Sequence, residues 1–220
     1  MNKLLSMMVM SGVLAFSSAT YSADFIRKNA HSPEAKADLK ALSVALEKMR
    51  KMDCNDPRSW YFQGATHAVP NSFPTGNKLC PSYSGKPSEL KWGWDTCPHD
   101  PTKEKHFLIW HRLYVAHFEQ IVRELSGKAD FALPYWDYTD KAYRTLPAPF
   151  IQKNNALYEL GRATKLNSGR AIDKVLDTSL DVSNLMEIKN FFTFNQSIDN
   201  APHGAMHVYV GGAFQEDPYA

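Results

Sequence analysis

Apolar residues recur at helical spacing in two stretches of the chain. Ala35, Leu39, Leu42, Leu46 and Met49 fall mostly three and four apart, with Lys and Glu filling the other face. That is the pattern of a helix that buries one stripe and wets the rest. Ser32 and Pro33 ahead of it supply an N-cap residue and a proline at the first helical position, where the missing N–H is no loss. From Phe107 onward, Leu108, Val115, Phe118, Ile121, Val122 and Leu125 recur in the same way with Glu119, Arg123 and Glu124 interleaved. They predict a second amphipathic helix. A shorter helix, WYFQGATH, is predicted behind Asp56-Pro57-Arg58-Ser59 and ends on His67.

The remaining chain is less regular. Residues 68–96 are rich in Pro, Gly, Ser and Asn and predict a long ordered loop, a feature that in compact domains is often functional. The aromatic, proline-containing run LPYWDY at 133–138 predicts an extended segment packed on the helices. Within it Asp137 either orients a neighbouring side chain or is a satisfied core carboxylate. Residues 147–199 are polar with short apolar groups and predict loops and one or two short helices. At the start, Lys3 precedes an apolar run over 4–16 and small polar residues up to Ala23. The run is short for a membrane span, so a signal peptide over 1–23, cut near Ser22 or Ala23, is the expectation. It implies an exported protein, secreted or periplasmic, with no membrane association once the signal is removed. The competing reading of the same residues is a short anchoring helix.

The formal charge is +2, and Lys and Arg are scattered rather than striped, which argues against nucleic acid as a partner. The roughly two hundred residues after the signal are within the range of one domain. Of the three cysteines, Cys54, Cys80 and Cys97, an exported chain pairs two and leaves one over.

Histidine changes the picture most. His99, His106, His111 and His117 crowd one span, and His111 lies between Trp110 and Arg112 within the predicted helix. A lone histidine on a core-facing helix is more often structural than a ligand. Far downstream, however, His203 and His207 are four apart, one above the other on a helix face, so both imidazoles can meet one ion. With His67, His99 and His111 ahead of the aromatic segment and His203 and His207 behind it, five imidazoles are on offer, and no carboxylate lies at ligand spacing. Imidazole-only sites suit Cu, Zn, Fe or Ni. A zinc hydrolase reading lacks the general-base Glu of an H-E-x-x-H motif.

The three ordered motifs HFLIWHRLYVAHFE, LPYWDY and PHGAMHVYVGG resemble the tyrosinase family of type-3 copper proteins, which includes catechol oxidases. The likeness runs from about Arg27 to the last residue. It implies a mainly α fold: a helical bundle around a dicopper centre with long irregular loops, in one copper-binding domain over 24–220. The implied ligands of the first copper, CuA, are His67, His99 and His111, with His106 as the rival of His99. Cys97-Pro98-His99 resembles the Cys-x-His of members in which the cysteine sulfur is bonded to the histidine ring. Cys97 either does this or joins a disulfide with Cys54 or Cys80.

The implied CuB ligands are His203 and His207, with Gly204 where an Asn is usual. The family's third CuB histidine follows on a further helix, whereas this sequence ends at Ala220. The resemblance therefore implies a domain incomplete at its C-terminus, lacking the last bundle helix. The implied activity is oxidation of phenols or o-diphenols to o-quinones with dioxygen at two copper ions. The alternative is a truncated, catalytically impaired copper-binding member with only the first site complete.

Overall fold

The computed structural model describes residues 25–67, 106–172 and 182–211, together with Leu90, Gly93 and Thr96. The predicted signal peptide, His99, Cys80 and Cys97 lie outside the described residues. No helix among those described is long and apolar enough to cross a membrane.

The two amphipathic stretches form the helices α1, Lys36–Met49, and α3, Phe107–Ser126. Between them runs α2, Trp60–His67. Ser32 does precede the first turn, but Pro33–Ala35 is a 3-10 turn and Ser32 makes no side-chain cap, so the α-helix proper starts at Lys36. The predicted stripe is the buried one: Ala35, Leu39, Leu42, Leu46 and Met49 are all buried. They pack against Ile121 and Val122 of α3 and against Phe131, which is fully buried, to make the main core. Each of the larger side chains here contributes about 1.5–3 kcal/mol of burial, so this contact is the principal scaffold. Gly127 closes α3 at φ 76°, a left-handed conformation that L side chains rarely adopt, and its N–H reaches Arg123 O at 3.0 Å.

Buried charges tie the flanking chain to that helix pair. Glu119 on α3 is buried, and its Oε1 accepts from Arg27 Nε at 2.9 Å and from Leu133 N–H at 2.8 Å. Asp38 on α1 is 1 % exposed and faces Lys28 Nζ at 2.7 Å and Lys128 Nζ at 2.9 Å. The LPYWDY run is extended, as predicted, and bridges the N-terminal segment: Ala30 N–H donates to Tyr135 O and Tyr135 N–H to Lys28 O.

Two predictions are too coarse. Leu90, Gly93 and Thr96 are helical within the predicted loop, with Leu90 buried against Phe62 and Ala65 of α2. In 147–199 the chain forms α4, Ala148–Ile151, α5, Thr164–Asn167, a 3-10 turn at Asn184–Glu187, and α6, Phe191–Ile198. Elements of four residues cannot stand alone in water, so neighbours rather than local pattern create them. After α6 the chain widens into a π-helical turn, Asp199–Gly204, and continues as α7, Ala205–Val210. Pro202 lacks the N–H a regular helix needs there, and Ala201 leaves helical geometry at φ −153°, ψ 122°.

Candidate metal centre

Helices α2, α3 and α7, with the widened turn, deliver four histidines to one place. His67 is the last residue of α2, His111 lies in the second turn of α3, His203 sits in the widened turn, and His207 is on α7. All four are half-buried. His67 Nε2 is 3.1 Å from His111 Nε2, and His207 Nε2 is 2.9 Å from His203 Nε2. The two pairs also touch: the His67 and His207 rings stack at 5.6 Å, and the His111 and His203 rings meet edge-on at 5.4 Å. Ligand nitrogens of His67, His111 and His203 all lie within 4.8 Å of one another.

A partner on the far side of two rings decides which nitrogen faces the cluster. His111 Nδ1 is 2.8 Å from Phe107 O, and a carbonyl only accepts, so Nδ1 carries the proton and Nε2 the lone pair. His203 Nδ1 lies 3.2 Å from both Asp199 O and Asp199 Oδ1, which fixes the same tautomer. Two imidazole nitrogens bound to one ion at about 2 Å stand roughly 3 Å apart, the spacing within each pair. The donor set therefore fits metal, with the His111 and His203 rings held by outer partners and their Nε2 atoms turned inward.

Local sequence explains how the rings are held. Tyr114 Oη donates to Gln63 O and joins α3 to α2 one turn from the histidine positions. Trp110 lies against both His67 and His111, and its Nε1–H donates to Thr96 Oγ1 at 3.2 Å. A Cβ on Gly204 would stand 3.2 Å from Asp199 O, so the smallest residue lets the turn close around His203. Gly211, at φ 91°, comes so near Ala163 that a Cβ would lie 2.9 Å from its N, and Ala163 N–H donates to Val210 O at 2.8 Å. That contact pins the end of α7.

The histidines open onto a cavity of about 470 Å³ whose wall includes Trp60, Phe150, Arg50, Glu159 and Arg162. Arg50 Nη2 pairs with Glu159 Oε2 at 2.7 Å, while burial pushes the Arg162 guanidinium down from its ordinary pKa, opposed by Glu159. A larger cavity of about 690 Å³ runs along α1 beside Pro147 and Pro149, but none of the four clustered histidines reaches it.

Of the five residues singled out in the sequence, the structure brings together His67, His111, His203 and His207; His99 falls outside the described residues. His106, its rival, is exposed at the start of α3, and His117 is exposed on the same helix. His31 packs on Tyr143, with Nε2 2.9 Å from Thr145 O. Asp137 accepts from Thr139 Oγ1 and, among the described residues, holds no imidazole. The carboxylate that does is Asp199, and its signal was present as the four-residue spacing to His203. Cys54 is disulfide-bonded.

Residues 57–178 match the family model described as the common central domain of tyrosinase. The tyrosinase HcTyr1 of Hahella sp. (strain CCB-MM4) is 37% identical over 119 residues, covering 50% of this chain and 24% of that protein. The aureusidin synthase of Antirrhinum majus is 28% identical over 134 residues, 61% of this chain and 21% of its own. The chain thus spans about a quarter of the length of these relatives. Among solved structures, a latent aurone synthase (polyphenol oxidase) from natural source superposes with a TM-score of 0.66 at 21% identity, covering 90% of this chain and 43% of that one. The polyphenol oxidase of Grenache (Vitis vinifera) gives 0.59 at 18% identity, 96% and 68%. At such identities these two establish the fold. Through its central-domain match, carried on a mainly helical fold shared with polyphenol oxidases, the chain belongs to the tyrosinase family, whose metal is a pair of copper ions.

Proposed function

We propose that the chain carries a type-3 copper centre that oxidises phenols or o-diphenols to o-quinones with dioxygen. His67, His99 and His111 hold one ion, and His203 and His207 contribute to the second. The observation that carries this reading is the convergence of four Nε2 atoms as two close pairs, His67 with His111 and His203 with His207. Two such pairs are what the CuA and CuB assignment of these four histidines would give. Copper, once bound, supplies the redox chemistry and the affinity for dioxygen.

The chain's own groups do the rest. Phe107 O and Asp199 keep the His111 and His203 rings in the tautomer that presents Nε2. Trp110, Tyr114 and Phe107 wall the rings with aromatic surface, which suits a flat phenolic ring and limits water near the donors. We place the domain over 24–220 in an exported protein; the disulfide at Cys54 fits an oxidising compartment.

The test is copper loading followed by metal analysis and catechol oxidation under air and under argon. About two copper per chain and oxygen-dependent quinone formation are expected. A loaded protein that yields no quinone from catechol or a monophenol overturns the oxidase reading. One geometric feature favours a second reading: ligand nitrogens of His67, His111 and His203 come within 4.8 Å of one another across the two pairs. A single ion gripped by these three, in a copper-binding chain without oxidase activity, gives about one copper per chain, and the same metal analysis separates the two.

A further inference from the structure

We infer that Asn195 is a positioning residue for the metal centre, which supports His111 through the peptide group joining Phe107 to Leu108; the inference rests on the dicopper reading above. Asn195 lies on α6 and is 1 % exposed. Its Oδ1 accepts from Leu108 N–H at 3.2 Å. The carbonyl of that same peptide group, Phe107 O, accepts from His111 Nδ1–H at 2.8 Å. One planar amide is therefore held at both ends, by Asn195 on one side and by a ligand imidazole on the other.

Two physical consequences follow from that arrangement. First, the N-cap position of α3, His106, makes no side-chain cap, so an N–H of the first turn has no partner within its own helix. Asn195 supplies the acceptor from 87 residues away and fixes where the first turn, and with it Phe107 O, stands. Second, hydrogen bonds in a chain polarise one another. An acceptor on the amide N–H makes its carbonyl a better acceptor for His111 Nδ1–H, which makes Nε2 a more basic ligand.

The same residue couples the halves of the site. Asn195 stands on the helix that runs directly into Asp199–Gly204, the turn bearing His203. The Phe107 ring is wedged between the His111 ring at 4.2 Å and the His203 ring at 4.7 Å. A displacement of α6 thus moves His203 and the support of His111 together. An ordinary buried cap affects helix stability alone; this one also sets the aim of a ligand ring.

The test compares Asn195→Leu, similar in volume but without the acceptor, with Asn195→Asp, which keeps an oxygen at that place. In the full chain loaded with copper, Asn195→Leu is expected to retain copper about 10–100-fold less well against a chelator, the usual cost of removing an outer partner. It should also show an electron paramagnetic resonance signal from uncoupled Cu(II), where a coupled pair is silent. Asn195→Asp should keep parental retention and silence. In the metal-free protein the Leu108 amide should exchange faster in Asn195→Leu than in Asn195→Asp. Parental retention and a silent pair in Asn195→Leu overturn the proposal, as does an Asn195→Asp chain that behaves like Asn195→Leu. So does an Asn195→Leu chain that fails to fold beside a normal Asn195→Asp, since that makes the residue a folding element only. A parent chain that takes up no copper pair is the failure of the dicopper reading itself, visible before any variant is made.

Discussion

The α1–α3 contact and the histidine end of the molecule are built on opposite principles. In the first, Ala45, Met49, Val122 and Phe131 are fully buried, and the charges that enter it, Asp38 and Glu119, are matched by cations or backbone N–H groups. In the second, four imidazoles are half-buried, and the chain that carries two of them is a widened turn and a helix of six residues. The core contributes stability through area removed from water, whereas the histidine end holds a geometry that contributes little until an ion arrives. A site of this kind is carried by its scaffold rather than helping to hold it up.

The sharpest way to break the comparison is to remove a proposed ligand. His111→Ala or His203→Ala should lower copper retention by more than about 100-fold, because each ion loses a donor and the partner ring loses its neighbour. The metal-free protein should lose no more than about 1 kcal/mol, since these rings are half-exposed and create no sealed cavity when trimmed. Equilibrium dialysis against copper, with urea unfolding of the metal-free chains, checks both halves. A large loss of metal-free stability would show that the histidine end is structural after all.

The converse comes next. Phe131→Ala empties a fully buried site between α1 and α3 and should cost about 3–5 kcal/mol by urea unfolding. Copper per folded chain should stay at the parental value. If metal content instead falls with stability, the two regions are not separable.

How far each region is legible in the sequence follows from the same contrast. The buried stripes of α1 and α3 were readable because a helix repeats every 3.6 residues, and burial in this core selects on that repeat. The four clustered histidines were readable because their spacing on helices and their order along the chain match a known motif set. Partnerships across distance were not. Nothing local at Asn195 points to Leu108, and nothing local at Glu119 points to Arg27 or Leu133 as its partners. The short helices expected between 147 and 199 are present but could not be placed, for a related reason: elements of four residues owe their existence to neighbours. Asp137 accepts from its sequence neighbour Thr139, whereas Asp199 reaches an imidazole through its four-residue offset from His203.

The smallest predicted effect concerns the scaffold's charges and tests whether they are held as tightly as its apolar residues. Burial pushes the Lys128 ammonium down, but the hydrogen bonds and charges of Asp130 and Asp38 outweigh it, and the net shift is upward. A raised lysine favours the folded state while it is charged. Its contribution is therefore complete below the unfolded lysine value of about 10.4 and drains away as pH rises through the higher folded value. Lys128→Met removes that contribution at every pH. The parent should then be the more stable protein at neutral pH, and the gap between the two urea midpoints should narrow only in alkali, above about pH 10. Because Lys128 retains 20% exposure and Asp130 is largely in water, screening keeps the gap small, and 1 M salt should shrink it further. A gap unchanged between pH 7 and pH 11.5 would mean that the side chain's methylenes, packed beside Asp38, matter to the scaffold and its charge does not.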